Sequence, residues 1–150
     1  MAPILESVEI ARPPEDVFAY IDDLSRHHEW DAQILETRVE TEGPTRVGSR
    51  ATDTRKVPFG RQQVTYEVTE HEPPRRAAFR VINGPVRPFG SLTVEPVGDG
   101  SRSRLTLEIE FRGHGLAGKL LAPLAKRDAQ KNIPQNHARL KQRLESGASS

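Results

Sequence analysis

The last third of the chain changes its hydrophobic period once, and that change limits the fold more than any other feature. In residues 103–111, Leu105, Leu107, Ile109 and Phe111 alternate with Thr106, Glu108 and Glu110. A period of two puts all four apolar side chains on one side of a strand and leaves the other side wet. After Gly113-His114-Gly115 the spacing turns helical. Leu116, Leu120 and Leu124, then Ile133, His137, Leu140 and Leu144, read as one apolar stripe among lysines and arginines. Pro123 and Pro134 interrupt it. A proline inside a helix costs about 3 kcal/mol or more, so a kink or a break is expected at Pro134.

The upstream sequence supplies the partners for that strand and helix. Ile4–Ala11 carries Ile4, Val8 and Ile10 on one parity and reads as a first strand. RPPEDVFAYIDDL then opens a helix, its prolines and acidic residues suiting a first turn and Val17, Ile21 and Leu24 forming its buried stripe. SRHHEW continues as a second short helix with Ser25 as its expected N-cap. Further period-two runs follow: Leu35, Thr37 and Val39; a polar run over 47–57; Val64, Tyr66 and Val68; Ala77, Phe79 and Val81; Leu92 and Val94. EGP, PFG, EPP, NGP and GDG separate them where hairpin turns belong. The expected fold is α+β, with a curved antiparallel sheet of about seven strands around a long C-terminal helix and two short helices after the first strand. A sheet of that size curls because it twists, and one helix cannot fill it. An internal cavity is the consequence.

A chain of 150 residues is one domain by length, here residues 1–145, followed by a flexible tail at 146–150. Hydrophobic residues make up 35% and aromatic residues 5%, a lean supply for a solid core of this size. With 22 basic residues against 21 acidic ones, no basic excess points to nucleic acid as a partner. The absence of cysteine excludes disulfides, thiolate metal sites and cysteine nucleophiles. No secretory signal and no run of about 20 apolar residues is present, so a soluble cytoplasmic protein without integral membrane association is expected. No cofactor motif is found. A monomer or a homodimer is compatible with the pattern.

Three segments carry a family likeness: ARPPEDVFAYIDDLSRHHEW (11–30), VTYEVTEHEPPRRAAFRV (64–81) and EPVGDGSRSRLTLEIEF (95–111) with the leucine-rich helix after it. In this order they resemble the SRPBCC superfamily, the START/Bet v 1-like helix-grip proteins, and more narrowly its bacterial polyketide cyclase/dehydrase-like branch. The resemblance implies a hydrophobic small molecule in the cavity: a lipid, a sterol, a polyketide or another aromatic compound. Some members cyclise or dehydrate polyketides, others bind and carry, and others engage larger proteins. They share no catalytic signature, so the resemblance carries no catalytic residue to this chain.

The residues themselves nominate a lining of Trp30, Val64, Tyr66, Val68, Phe79 and Leu92, with Leu107, Ile109, Leu120 and Leu124. Trp30 either lines the pocket or closes the core. Tyr66 either presents its hydroxyl to the cavity, to orient a ligand or donate a proton, or extends it to solvent. His114 is the other acid/base candidate, although a histidine in a flanking loop is usually exposed. His27 and Asp31 stand at i and i+4, the spacing of two metal ligands, with His71, His114 or His137 as a third. The favoured reading of RHHEWD has no metal: a solvated helix end anchored by Trp30. Arg50, Asp53 and Arg55 make the 47–57 run polar, either as a charged edge strand, which is favoured, or as a polar anchor inside the pocket. Lys126, Arg127, Lys131, Arg139, Lys141 and Arg143 read as the solvated face of the long helix, with attraction to a membrane surface as the minority reading. The function expected is binding of a small hydrophobic or aromatic ligand. The alternatives are a polyketide cyclase or dehydratase using general acid/base catalysis, and a protein-interaction module.

Overall fold

The computed structural model describes residues 2–58 and 60–147, so Phe59 of the PFG turn and residues 148–150 of the expected tail lie outside the described residues. Seven strands form one antiparallel sheet: β1 (Ile4–Ile10), β2 (Ile34–Val39), β3 (Arg50–Val57), β4 (Gly60–Glu72), β5 (Arg76–Val81), β6 (Phe89–Val97) and β7 (Arg102–Glu110). Their order is β1-β7-β6-β5-β4-β3-β2, so β1 and β2 are the two edges. All neighbours except β1–β7 are joined by hairpins. The β1–β7 pair is fixed by apolar partners, Ile4 opposite Ile109 and Val8 opposite Leu105. Strands spaced about 4.8 Å apart would hold these edges about 29 Å from each other in a flat sheet. The link between them is α1 (Pro14–Asp22) and a 3₁₀ helix (Leu24–Glu29), which cross the open side of the curled sheet.

The long helix α2 (Gly115–Glu145) runs through both prolines without a break. Pro123 and Pro134 stand three turns apart on the exposed face, and the carbonyls they leave without a partner belong to the exposed residues Lys119 and Gln130. Both carbonyls lie on the solvent-facing side of the helix, where losing the intrahelical bond costs least, and the expected break does not occur. The 3₁₀ helix is capped by Asp23 and not by Ser25: the Asp23 carboxylate accepts from the Ser25 backbone N–H at 3.2 Å and from its hydroxyl at 2.6 Å.

Two features depart from the expected pattern. A register shift between Ile34 and Glu36 breaks the alternation of β2, so that Ile34 is buried while Leu35 is exposed. The polar strand β3 is not an edge, because β2 pairs along it. Its polarity has two other causes. Arg50 points outward to Glu67 at 2.8 Å, and Asp53 and Arg55 face the concave side with Ala51.

The core has two clusters: a smaller one in which Leu24 of the 3₁₀ helix meets Ala51, Tyr66, Val68 and Val81 of β3, β4 and β5, and a larger one at one end of the concavity. Ile10, Val17, Phe18, Tyr20, Ile21, Val94, Leu105, Leu140 and Leu144 form the larger cluster where α1 and the last turns of α2 meet β1, β6 and β7. At the opposite end α2 presents small residues. Gly118 and Ala122 are buried there, and a methyl group at Gly118 would collide with the Pro85 carbonyl. This predicts that Gly118→Ala lowers stability. Alanine is favoured over glycine by about 1 kcal/mol in a helix, yet overpacking of about 1–3 kcal/mol should outweigh it. Urea denaturation of the two proteins decides the matter, and a higher midpoint for the variant would show that the contact can yield.

Candidate functional site

Beyond the point where Leu140 fills the sheet, the inner residues of α2 shrink to His137, Asn136, Ile133, Ala129 and Ala125, and a cavity of about 360 Å³ opens between helix and sheet. Such a volume lies at the lower end of the roughly 300–1,000 Å³ typical of small-molecule sites. Val64, Tyr66 and Val68 of β4, Phe79 of β5, Leu92 of β6, and Leu107 and Ile109 of β7 line it. Phe111 also lines it, whereas Leu105 belongs to the solid core. Trp30 is half-buried and sits between the cavity and the core cluster, so both roles read from the sequence are combined in one side chain.

The lining is mainly apolar, with polar groups gathered toward the 3₁₀ helix and β3. Three of its buried polar atoms have no hydrogen-bond partner among the described residues: Trp30 Nε1, the Tyr66 hydroxyl and His137 Nδ1. Leaving such a group unpaired costs about 1–3 kcal/mol. The Tyr66 hydroxyl therefore does not reach solvent, contrary to the commoner arrangement for a strand tyrosine. Burial, then the nearby Asp53 carboxylate, push its pKa upward, so the phenol stays protonated. Asp53 is itself buried and its pKa is raised by desolvation, against the lowering effect of the Thr37 hydroxyl that donates to it at 2.8 Å. Burial alone holds the pKa of His137 down at about 4, so this ring is neutral.

RHHEWD is divided between structure and site. Glu29 accepts from Tyr20 Oη at 2.7 Å and from Arg26 Nε at 3.0 Å. Arg143 of α2 donates to the same Tyr20 oxygen at 3.1 Å. The Arg26 guanidinium, ahead of the Tyr20 hydroxyl, holds the Glu29 carboxyl down at about 2. Asp31 takes both Arg55 nitrogens, at 3.0 and 3.4 Å, and accepts from Asn136 Nδ2 at 3.2 Å. His27 Nε2 lies 2.6 Å from the Ile21 carbonyl, which can only accept, so Nε2 carries the proton. The His27 ring stands 5.2 Å from Trp30 and lies nearly parallel to Tyr66 at 6.4 Å, forming an aromatic row along the wall. His27 and Asp31 are thus committed to different partners. Among the described residues, no three acidic or histidine side chains are grouped to hold a metal ion.

Two expected lining residues and one expected acid/base lie elsewhere. Leu120 and Leu124 are 69% and 50% exposed and point away from the cavity. His114 is exposed at the start of α2 and borders a groove on the outer face of the sheet with Arg112 and Glu110. The cavity is also bordered by Asp53 and Arg55, the less favoured reading of the polar 47–57 run, and by Asp31, Gln33 and Asn136, which were not expected there. Asn136 carried a readable signal: it is a polar residue beside His137 on the buried stripe.

The His137 environment predicts an acid-sensitive contribution to stability. An unfolded histidine takes its proton near pH 6.5, while this ring takes it only near 4. Between those values the unfolded chain binds more protons, so stability falls as pH drops from 6.5 toward 4, by about 3 kcal/mol for this one group. In urea denaturation at pH 7 and pH 4, the difference between the natural protein and His137→Gln should change by that amount. An unchanged difference would mean that the ring is protonated in place.

An uncharacterized protein of Mycobacterium tuberculosis is 27% identical over 139 residues, covering 90% of this chain and 96% of its own length. A START superfamily protein from Mycobacterium smegmatis superposes with a TM-score of 0.79 at 12% identity, over 99% of this chain and 100% of its own. The Zhui aromatase/cyclase from Streptomyces sp. R1128 gives 0.77 at 15% identity, over 99% and 98% of the two chains. These structures share the helix-grip fold. The profile that matches residues 1–145 is that of polyketide cyclase / dehydrase and lipid transport proteins, and the chain belongs to that family.

Proposed function

We propose that the protein binds one small, largely hydrophobic or aromatic molecule that carries at least one hydrogen-bonding oxygen. The observation that carries this reading is the set of three buried, unpartnered polar atoms on a mainly apolar wall. Apolar burial supplies the affinity, at about 25 cal/mol per Å² removed from water. The Trp30 indole, the Tyr66 hydroxyl and the neutral His137 ring then orient the ligand. None of these three groups is charged, and the Arg55 guanidinium is occupied by Asp31. The head group that fits best is therefore neutral: a ketone, a phenol or an alcohol in preference to a carboxylate. Family membership supports the reading, since its description joins lipid transport to polyketide chemistry.

A second reading is favoured by one further observation. Tyr66 and Asp53 project from neighbouring strands onto the same wall, Tyr66 opposite Ala51 and Asp53 opposite Val64. A protonated phenol beside a buried carboxyl is an acid/base pair in a water-poor site. In that reading the protein cyclises or dehydrates a polyketide-like substrate, with Tyr66 as the proton donor to a carbonyl oxygen.

Trp30 is the only tryptophan, so its emission reports on the cavity directly. Titration with hydroxylated and ketone-bearing aromatics should shift or quench that emission with saturation. Tyr66→Phe should weaken those compounds about five- to tenfold, the worth of one hydrogen bond, and leave their unsubstituted hydrocarbon analogues unchanged. Equal effects on both sets would remove the hydroxyl from recognition. Turnover lost in this variant with binding retained would favour the enzyme.

A further inference from the structure

The first half of α2 is inverted. Its inner side carries Gly118, Ala122, Ala125 and Ala129, while Leu116, Leu120, Leu121 and Leu124 face outward. Leu116 and Leu120 are 78% and 69% exposed, and Leu121 and Leu124 are 41% and 50% exposed. A helix that only needed to cover the sheet would place its leucines inward. The close seat of Gly118 against Pro85 explains why large residues are excluded from the inside. It does not explain why the outside is leucine. A contiguous apolar face of this kind on the surface marks an interaction site.

The charges around the face indicate its partner. Lys119, Arg127 and Lys131 are exposed beside the leucines, and Lys126 lies at their margin with its ammonium 2.5 Å from the Ala2 carbonyl. Asp128 is the single acidic residue between Gly115 and Lys131; it lies one turn after Leu124, at the edge where the helix meets the cavity, and leaves the surrounding charge predominantly cationic. Apolar side chains collared by cations match the boundary of an anionic bilayer, where leucines enter the acyl region and lysines meet the head groups. A second copy of the chain is disfavoured, because a two-fold contact would set this cationic collar against itself. No helix among the described residues is long and apolar enough to cross a membrane. The contact is therefore one of lying on the surface.

We infer that the Leu116–Lys131 face of α2 docks the protein on anionic lipid surfaces. This proposal stands independently of the identity of the cavity ligand. Its test is co-sedimentation with vesicles of phosphatidylcholine alone and of phosphatidylcholine with an equal part of phosphatidylglycerol, at low and high salt. Binding is expected only with phosphatidylglycerol, and salt should weaken it. Leu120→Ser combined with Leu124→Ser should reduce partitioning at least tenfold. Arg127→Glu combined with Lys131→Glu should reduce it by about fivefold or more for each cation lost. Leu5→Ser, at an exposed leucine on β1, should leave it unchanged. All the substituted residues are exposed, and thermal melts of the variants verify that the fold is retained. Failure to sediment with the anionic vesicles overturns the proposal, as does sedimentation that the leucine substitutions do not affect. A dimer that the same leucine substitutions dissociate, without vesicle binding, would instead assign the face to a second copy.

Discussion

The concavity of a seven-stranded sheet is too large for one helix, and the side chains along α2 decide where the shortfall appears. At the C-terminal end Leu140 and Leu144 are fully buried against Ile10, Val17, Tyr20 and Leu105, and the space between the layers is closed. Toward the N-terminal end alanine, asparagine and histidine take the equivalent inner positions and the cavity begins. One molecule therefore has a solid half and a hollow half. Protein interiors pack close to crystal density, so a gap of this size must be held open by rigid walls. The sheet ladders provide one wall. The other is α2, pinned at its far end by leucines and at its near end by backbone contact at Gly118.

The 3₁₀ helix closes the side of that space through two ionic groups. The Arg26–Glu29–Tyr20–Arg143 cluster ties it to α1 and to the end of α2. The Asp31–Arg55–Asn136 cluster ties the following residues to β3 and to the middle of α2, with Asn136 Oδ1 also accepting from the Ala32 N–H at 3.2 Å. Between these two clasps lies Trp30. Its ring is fixed without any hydrogen bond of its own, because the residues on both sides are fixed for it. Such preorganisation lowers the entropy that a bound ligand would have to overcome.

Much of this was readable in the sequence, and the errors have physical causes. Strand alternation at 64–68, 77–81 and 105–111 revealed the sheet and which side chains share a face, because each run is bounded by glycine or proline turns, but it did not say which face is the inner one. The polar strand 50–57 was harder. Charge on a strand means an exposed edge in most proteins, and here Asp53 and Arg55 instead serve a cavity that the sequence did not localise. The stripe on α2 was misread for a simpler reason. Leu124 and Ile133 are nine residues apart, which at 3.6 residues per turn is two and a half turns. The leucines up to Leu124 and those after Pro134 accordingly lie on opposite sides of one helix, and continuity of composition concealed a reversal of phase.

That reversal also separates two kinds of surface on a single element. The inward face of α2 is small and partly polar where it meets the cavity, with Asp128 at its edge as the one acidic group, and its outward face over the same turns is apolar and cationic. An exposed leucine pays no penalty in folding comparable with a buried charge, so the outward face is tolerated by the monomer without being required by it. The inward face is different. Enlarging it would fill the cavity, and charging it would place an ion beside Tyr66 and Asp53, whose environment already disfavours ionisation. Stability thus constrains the lining of the cavity in size and in charge, while the outer leucines answer to some requirement other than folding.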